Sequence, residues 1–397
     1  MITPEFKSLP AATLYTAARS LVRPYPHLHR TISPNAPKKI LIIGVHGFFP
    51  NKMLRPLIGE PTGTSLRFAS VAETAVVSWA KENNLNVQIQ KLALEKEGKI
   101  QDRVDFFFDL LKKTEIDAEF VFIACHSQGC PVSIMLIAKL LEYGLINKSK
   151  IGLLAMAGIN IGPFYGLDKS LLIRAYSTIE NDSMLELFQF QNFESLHSRR
   201  YFDALNTLIE HNVKITFVGS IDDQLVPLYS ALAIHVQHPN FFKAVYIDDS
   251  TNTPDFLARM IKLSCDLHNK GSTDHDLIKE ISPALAGPIT GGGHSRVYND
   301  IDVYKLALDF TLKTTSTNQP IKYKPFDIKK LGPSSNPFNL PWCARGMFSE
   351  VQKTEEGREE IEKVFIEFDH WDPQSKVLKN VKYRLNGIKY RLDGIAR

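Results

Sequence analysis

The sequence predicts an α/β protein with a mostly parallel sheet and helices on both faces. Near-continuous apolar, β-branched runs recur at residues 39–45, 120–124, 151–157, 213–218 and 242–247. Strands buried on both faces read this way. Between the runs lie stretches of helical period, among them residues 66–79, 100–111 and 132–141. Strand and helix in alternation argue for parallel strands joined by crossover helices.

In chain order, proline-rich residues 24–37 form an extended lead-in to the first strand, 39–45, which ends in His46-Gly47-Phe48. Thr64 or Ser65 is placed to cap a helix carrying Leu66, Phe68, Ala69, Ala72, Val76 and Trp79. Residues 87–94 read as a strand and 100–111 as an amphipathic helix. Phe120-Val121-Phe122-Ile123-Ala124 then runs into Cys125-His126-Ser127-Gln128-Gly129, and helical spacing resumes at Val132. Strand, tight turn and helix meeting at a serine is the arrangement of a nucleophile elbow, apart from Cys125 at the first glycine position. The alternative is a buried strand ending in a polar turn with an inert serine.

Residues 158–212 interrupt the rhythm with Phe164, Tyr165, Leu171, Leu172, Leu185, Leu187, Phe188 and Phe190. They read either as an apolar lid or as ordinary core helices, with a conventional helix at 199–209. The strand at 213–218 is followed by Asp222-Asp223-Gln224-Leu225-Val226-Pro227, where either aspartate is able to cap the next helix. After the strand at 242–247, Asp248 and Asp249 are further acids, and helices are expected from Asp255 and around residues 276–281. Gly291-Gly292-Gly293-His294 precedes a helix over about 300–312. Such a loop suits a histidine that must approach another side chain closely.

Taken together, these motifs resemble the α/β-hydrolase superfamily of lipases, esterases and thioesterases, over about residues 37–314, and within it a fungal-type lipase-like protein. The resemblance implies an α/β-hydrolase fold with Ser127 as nucleophile, His294 as base and Asp223 as acid, in that chain order. Asp222 fits an alternative count from Gly219. The resemblance also makes the backbone N–H groups of Phe48 and Gln128 oxyanion donors. His46, His126 and His211 do not fit the base position, and His126 is expected to pack against neighbouring strands. The implied activity is hydrolysis of a carboxylic ester or thioester with a lipid-like acyl group, needing no metal or organic cofactor. Acyl transfer to an alcohol is a close variant. The rival reading is a non-catalytic hydrolase-fold scaffold or lipid-binding protein.

The expected organisation is an N-terminal arm (1–36), a hydrolase domain (37–314) with cap or lid insertions at 158–212 and 250–290, and a C-terminal extension (315–397) containing strands. Residues 364–368 and 377–385 alternate in the manner of strands. The near-repeat 382–388 and 389–395 would put Lys382, Arg384, Lys389 and Arg391 on one strand face, suited either to peripheral contact with anionic lipid or to protecting a sheet edge.

The net charge of +4 is too weak to argue for a nucleic-acid partner. Four cysteines, two flanking Ser127, do not form a disulfide framework and point to a reducing, intracellular compartment, cytoplasmic or peripheral on an organelle membrane. No apolar run is long enough to span a bilayer. Residues 1–39 carry one acid, Glu5, against six Lys and Arg, so residues 11–22 suit either a mitochondrial transit helix or a surface arm.

Overall fold

The computed structural model describes residues 1–9, 37–48, 63–167, 181–249, 253–288, 292–331 and 336–392. The strands are β1 (Ile2–Thr3), β2 (Lys39–Val45), β3 (Gln88–Leu94), β4 (Phe120–His126), β5 (Lys150–Met156), β6 (Lys214–Ser220), β7 (Val236–Gln237), β8 (Phe241–Tyr246) and β9 (Lys322–Tyr323). Seven form one sheet in the order β1-β8-β6-β5-β4-β2-β3, and a separate antiparallel pair joins β7 to β9. Every pairing in the large sheet is parallel except β1 on β8.

The helices are α1 (Ser65–Glu82), α2 (Ile100–Leu111), α3 (Gly129–Glu142), α4 (Asn181–Gln189), α5 (Leu196–Glu210), α6 (Leu228–Ala231), α7 (Asp255–Asn269), α8 (Leu277–Leu285), α9 (Gly293–Arg296), α10 (Ile301–Leu312), α11 (Asn339–Val351), α12 (Glu355–His370) and α13 (Lys376–Leu392). The pleat of β4 sorts them into layers. Val121, Ile123 and Cys125 join α2, α3 and α5 in one apolar cluster, while Phe120, Phe122 and Ala124 join α1 and α10 in another. Both faces are covered, which is why β4 has no polar alternation.

The chain passes from β2 to β3 on one side and returns to β4 on the other, so the strand order reverses between β2 and β4. Connections leaving a sheet diverge at such a point and open a crevice beyond the carboxyl ends of the strands. The register aligns those ends, pairing Val45 with Cys125 and Met156 with both His126 and Val218. His46, Ser127 and the acid-bearing loop after β6 therefore emerge at one rim.

Several expectations are corrected. The C-terminal extension contributes helices α12 and α13 where strands were expected at 364–368 and 377–385. Val364, Ile366 and Phe368 do alternate, yet the buried set is Ile361, Val364 and Phe368, with Ile366 left 59% exposed. Burial thus follows a helical period, and Thr354 caps α12 by accepting from the Gly357 N–H. In α13, Val381 and Leu385 are buried four residues apart, so Lys382 and Arg384 do not share a strand face. The side chains of Lys389 and Arg391 lie outside the described residues.

Within the N-terminal arm over 1–36, β1 pairs with β8 and the Met1 amino group donates to the Ile247 carbonyl at 2.8 Å. The segment 11–22, read as a transit helix or surface arm, falls outside the described residues with the rest of 10–36. In the 250–290 insertion, α7 packs on β8, and α7 and α8 share an apolar cluster with α11 and α12. Among the described residues of this insertion, none lines the cavity described below. Within 158–212, α5 is a core helix packed on α3, whereas α4 overhangs the cavity.

Candidate active site

Ser127 sits between the end of β4 and the start of α3 with φ of +55°. This left-handed conformation is costly for a residue with a Cβ and is held by its surroundings. The Ser127 N–H donates to the Met156 carbonyl at 2.9 Å, and the Ser127 carbonyl accepts from the Cys130 N–H at 3.1 Å. At Gly129 a Cβ would lie 2.5 Å from the His46 carbonyl oxygen, so no larger residue fits where α3 crosses the end of β2. Cys125 is tolerated at the first glycine position because its side chain points into the α2–α3–α5 cluster, where its thiol donates to the Leu154 carbonyl at 3.3 Å.

His294 Nδ1 donates to Asp223 Oδ2 at 2.8 Å, with both side chains buried. The other carboxylate oxygen, Oδ1, accepts the backbone N–H groups of Leu225 at 2.8 Å and Val226 at 2.9 Å. One residue therefore both stabilises the turn before α6 and orients the imidazole. Asp222 points elsewhere: its Oδ1 accepts from Ser220 Oγ at 3.0 Å and its Oδ2 lies 3.6 Å from Arg296 Nη1. Ser127 and His294 line the same cavity, and no hydrogen bond joins them.

His126 is corrected: it packs against the histidine loop rather than against neighbouring strands. Its Nε2 donates to the His294 carbonyl at 2.7 Å, and its ring lies 4.5 Å from the His294 ring and 5.0 Å from that of Tyr298. Burial holds its pKa well below the ordinary histidine value, so it stays neutral beside His294. The Gln224 side-chain oxygen accepts the His294 backbone N–H at 3.0 Å, fixing the loop from its other side.

Phe48 lines the cavity, and Gln128 is buried at the head of α3. Gln128, and Gly47 just before Phe48, belong to a network that sequence reasoning missed. Arg103 of α2, fully buried, donates through Nη2 to the His46 carbonyl at 2.7 Å. Through Nη1 it donates to the Gly47 carbonyl at 3.3 Å and to Gln128 Oε1 at 2.8 Å. His46 Nδ1 also donates to the Gly47 carbonyl, at 2.7 Å, and its Nε2 accepts from the Lys96 N–H at 3.3 Å. The available signal was that Arg103 falls between Ile100 and Phe107 on the buried stripe of α2.

The cavity holds about 220 Å³, lined by Ser127, His294 and Phe48 and by an apolar wall that includes Ile159, Leu167, Met184, Leu187 and Phe188. The wall is anchored by Glu186 of α4, which accepts from the Ile100 N–H at the start of α2 at 2.9 Å. Among the described residues, no group of three or more His, Cys, Asp or Glu side chains is arranged to hold a metal.

A parallel sheet wrapped by helices, with a serine on a strained strand-to-helix turn at the reversal of strand order, defines an α/β-hydrolase fold. The chain belongs to the YMC0/YMC35 alpha/beta hydrolase domain family, whose model matches residues 11–351. Comparison with curated proteins gives no match. Among solved structures, similar ones include phospholipase PlaB from Legionella pneumophila, at 10% identity over 49% of this chain and 45% of that one, with a TM-score of 0.32. Est1E from Butyrivibrio proteoclasticus is 14% identical over 56% and 83%, with a TM-score of 0.31. A putative cell surface hydrolase from Lactobacillus plantarum WCFS1 is 11% identical over 62% and 97%, with a TM-score of 0.29. The chain spans less than half the length of the phospholipase. At this likeness nothing about activity transfers.

Proposed function

We propose that the protein is a serine hydrolase of carboxylic esters or thioesters with an apolar acyl group. The observation that carries this reading is the 2.8 Å bond from His294 Nδ1 to Asp223, in a cavity shared with the Ser127 hydroxyl. With Nδ1–H committed to the carboxylate, Nε2 presents a lone pair able to take a proton.

Ser127 Oγ attacks the acyl carbonyl while its proton passes to His294 Nε2. Asp223 stabilises the imidazolium that forms. The tetrahedral oxyanion receives hydrogen bonds from the N–H groups of Phe48 and Gln128. Collapse breaks the acyl–oxygen or acyl–sulfur bond, and His294 gives its proton to the departing alcohol or thiol. Water, deprotonated by the same Nε2, then attacks the acyl-enzyme and releases the acid and free Ser127.

The apolar wall supports an acyl chain as the buried portion of the substrate, since each methylene taken from water contributes about 0.8 kcal/mol. Hydrolysis of p-nitrophenyl esters of graded chain length tests this reading. The expected kcat/KM rises from acetate to a medium chain, and Ser127→Ala lowers it at least about 10³-fold. No hydrolysis at any chain length by folded protein would favour the non-catalytic lipid-binding reading.

A further inference from the structure

We infer that Arg103 is the positioning residue of the oxyanion hole, holding the peptide between Gly47 and Phe48 so that the Phe48 N–H faces the cavity. The inference rests on the hydrolase reading of this site and adds to it the element that sets its geometry. The Gly47 C=O and the Phe48 N–H belong to one planar trans peptide and point in opposite directions. On the inner side, the Gly47 carbonyl is gripped by Arg103 Nη1 at 3.3 Å and by His46 Nδ1 at 2.7 Å. The Phe48 N–H is thereby turned away from both donors, and Phe48 borders the cavity. A Cβ added at Gly47 would lie 2.8 Å from the Ser127 Cβ, so this stretch of backbone runs close beside the nucleophile.

The same guanidinium reaches the second donor. Arg103 Nη1 bonds Gln128 Oε1 at 2.8 Å, and the Gln128 side-chain amide donates to the Gly98 carbonyl at 3.1 Å. One planar fork therefore ties the loop after β2 to the turn after β4, the two segments whose N–H groups must converge. A lysine ammonium is a compact point donor and does not reproduce that fork.

Stability alone is a poor account of this residue. Arg103 is fully buried and makes no direct ion pair among the described residues; the carboxylates of Glu186 and Glu97 act on it only at longer range. Among the same residues its Nε has no hydrogen-bond partner. A buried cation held mainly by carbonyl dipoles costs folding free energy that an apolar side chain of similar size would not. Burial lowers its pKa to about 10, so it remains a cation at neutral pH, with its charge behind the place where the oxyanion forms.

The test compares Arg103→Met and Arg103→Lys with wild type in three measurements: ester hydrolysis, inhibition by a 1,1,1-trifluoro-2-alkanone, and thermal unfolding. The ketone adds to the serine as a hemiketal anion and so reports the oxyanion hole directly. Expected for Arg103→Met is a fall in kcat of about 100-fold, KM within about threefold, and ketone affinity reduced by the same factor as kcat/KM. Arg103→Lys should lose about tenfold in both. Leu208→Ala, a core change in α5, controls for destabilisation: it should lower the unfolding temperature yet keep kcat/KM and ketone affinity within about twofold at 25 °C.

The inference is overturned if the Arg103 variants keep ketone affinity within twofold of wild type, or lose kcat only in proportion to the unfolded fraction. If Arg103→Met gives no folded protein, the same two readouts on Arg103→Lys decide. A wild type inert toward both esters and the ketone would remove the hydrolase reading, and this inference with it. An active wild type with unaltered Arg103 variants would remove the inference alone.

Discussion

Asp223→Asn is expected to lower kcat about 10³–10⁴-fold while leaving the fold intact. The substituted amide can keep its oxygen on the Leu225 and Val226 N–H groups, which Asp223 Oδ1 now holds at 2.8 and 2.9 Å. That choice turns the amide NH₂ toward His294 Nδ1, where the carboxylate Oδ2 now accepts at 2.8 Å. Nδ1 must then be the acceptor, and the ring proton moves to Nε2, which can no longer take the serine proton. The loss should shrink above neutral pH if hydroxide substitutes for the missing base. Asp222→Asn, whose carboxylate engages Ser220 and faces Arg296, should cost less than about tenfold. Steady-state kinetics on one p-nitrophenyl ester decides between them. Equal losses at the two positions would contradict the assignment of the acid.

The second large effect is on stability in acid. Burial is the main cause holding four histidines below the ordinary value: His46 and His235 at about 3, His238 at about 4, and His126 well below. Between those folded values and the unfolded value near 6.5, the unfolded chain binds more protons than the folded one. Their stabilisation is therefore complete above about pH 6.5 and is lost as pH falls toward 3–4. Each contributes a slope of about 1.4 kcal/mol per pH unit inside its window, so four together remove most of an ordinary domain's stability by about pH 5. Urea titrations at pH 7.5, 6.0 and 5.0 should show a steep fall in unfolding free energy. His235→Gln should flatten the slope by about 1.4 kcal/mol per pH unit. A stability unchanged from pH 6.5 to 4.5 would show that these rings are not held neutral.

The sheet was legible because its strands are buried on both faces. Continuous apolar runs located β2, β4, β5, β6 and β8 to within two residues at either end. The two-residue strands β1, β7 and β9 carry no period and could not be read. The helices α12 and α13 were misread because short apolar alternations fit a strand as well as one stripe of a helix. Only packing against α7 and α11 selects Ile361, Val364 and Phe368. Around the site, the turn at Ser127 announces itself through residue types that a sharp strand-to-helix reversal demands. The choice between Asp222 and Asp223 is set by which carboxylate faces His294, and adjacent residues on a turn point in different directions. Arg103 stayed hidden because two of its three partners are backbone carbonyls of a distant segment, and backbone acceptors leave no mark on a sequence.

The most direct measurement of the central claim is covalent modification by an alkyl fluorophosphonate, read by intact mass and peptide mapping. The account predicts one phosphonyl adduct per chain, on the peptide containing Ser127. It should be absent from Ser127→Ala and form at least about 100-fold more slowly in His294→Ala. Folded wild-type protein that acquires no adduct, or acquires it at Ser65 or Ser133 instead, would contradict it.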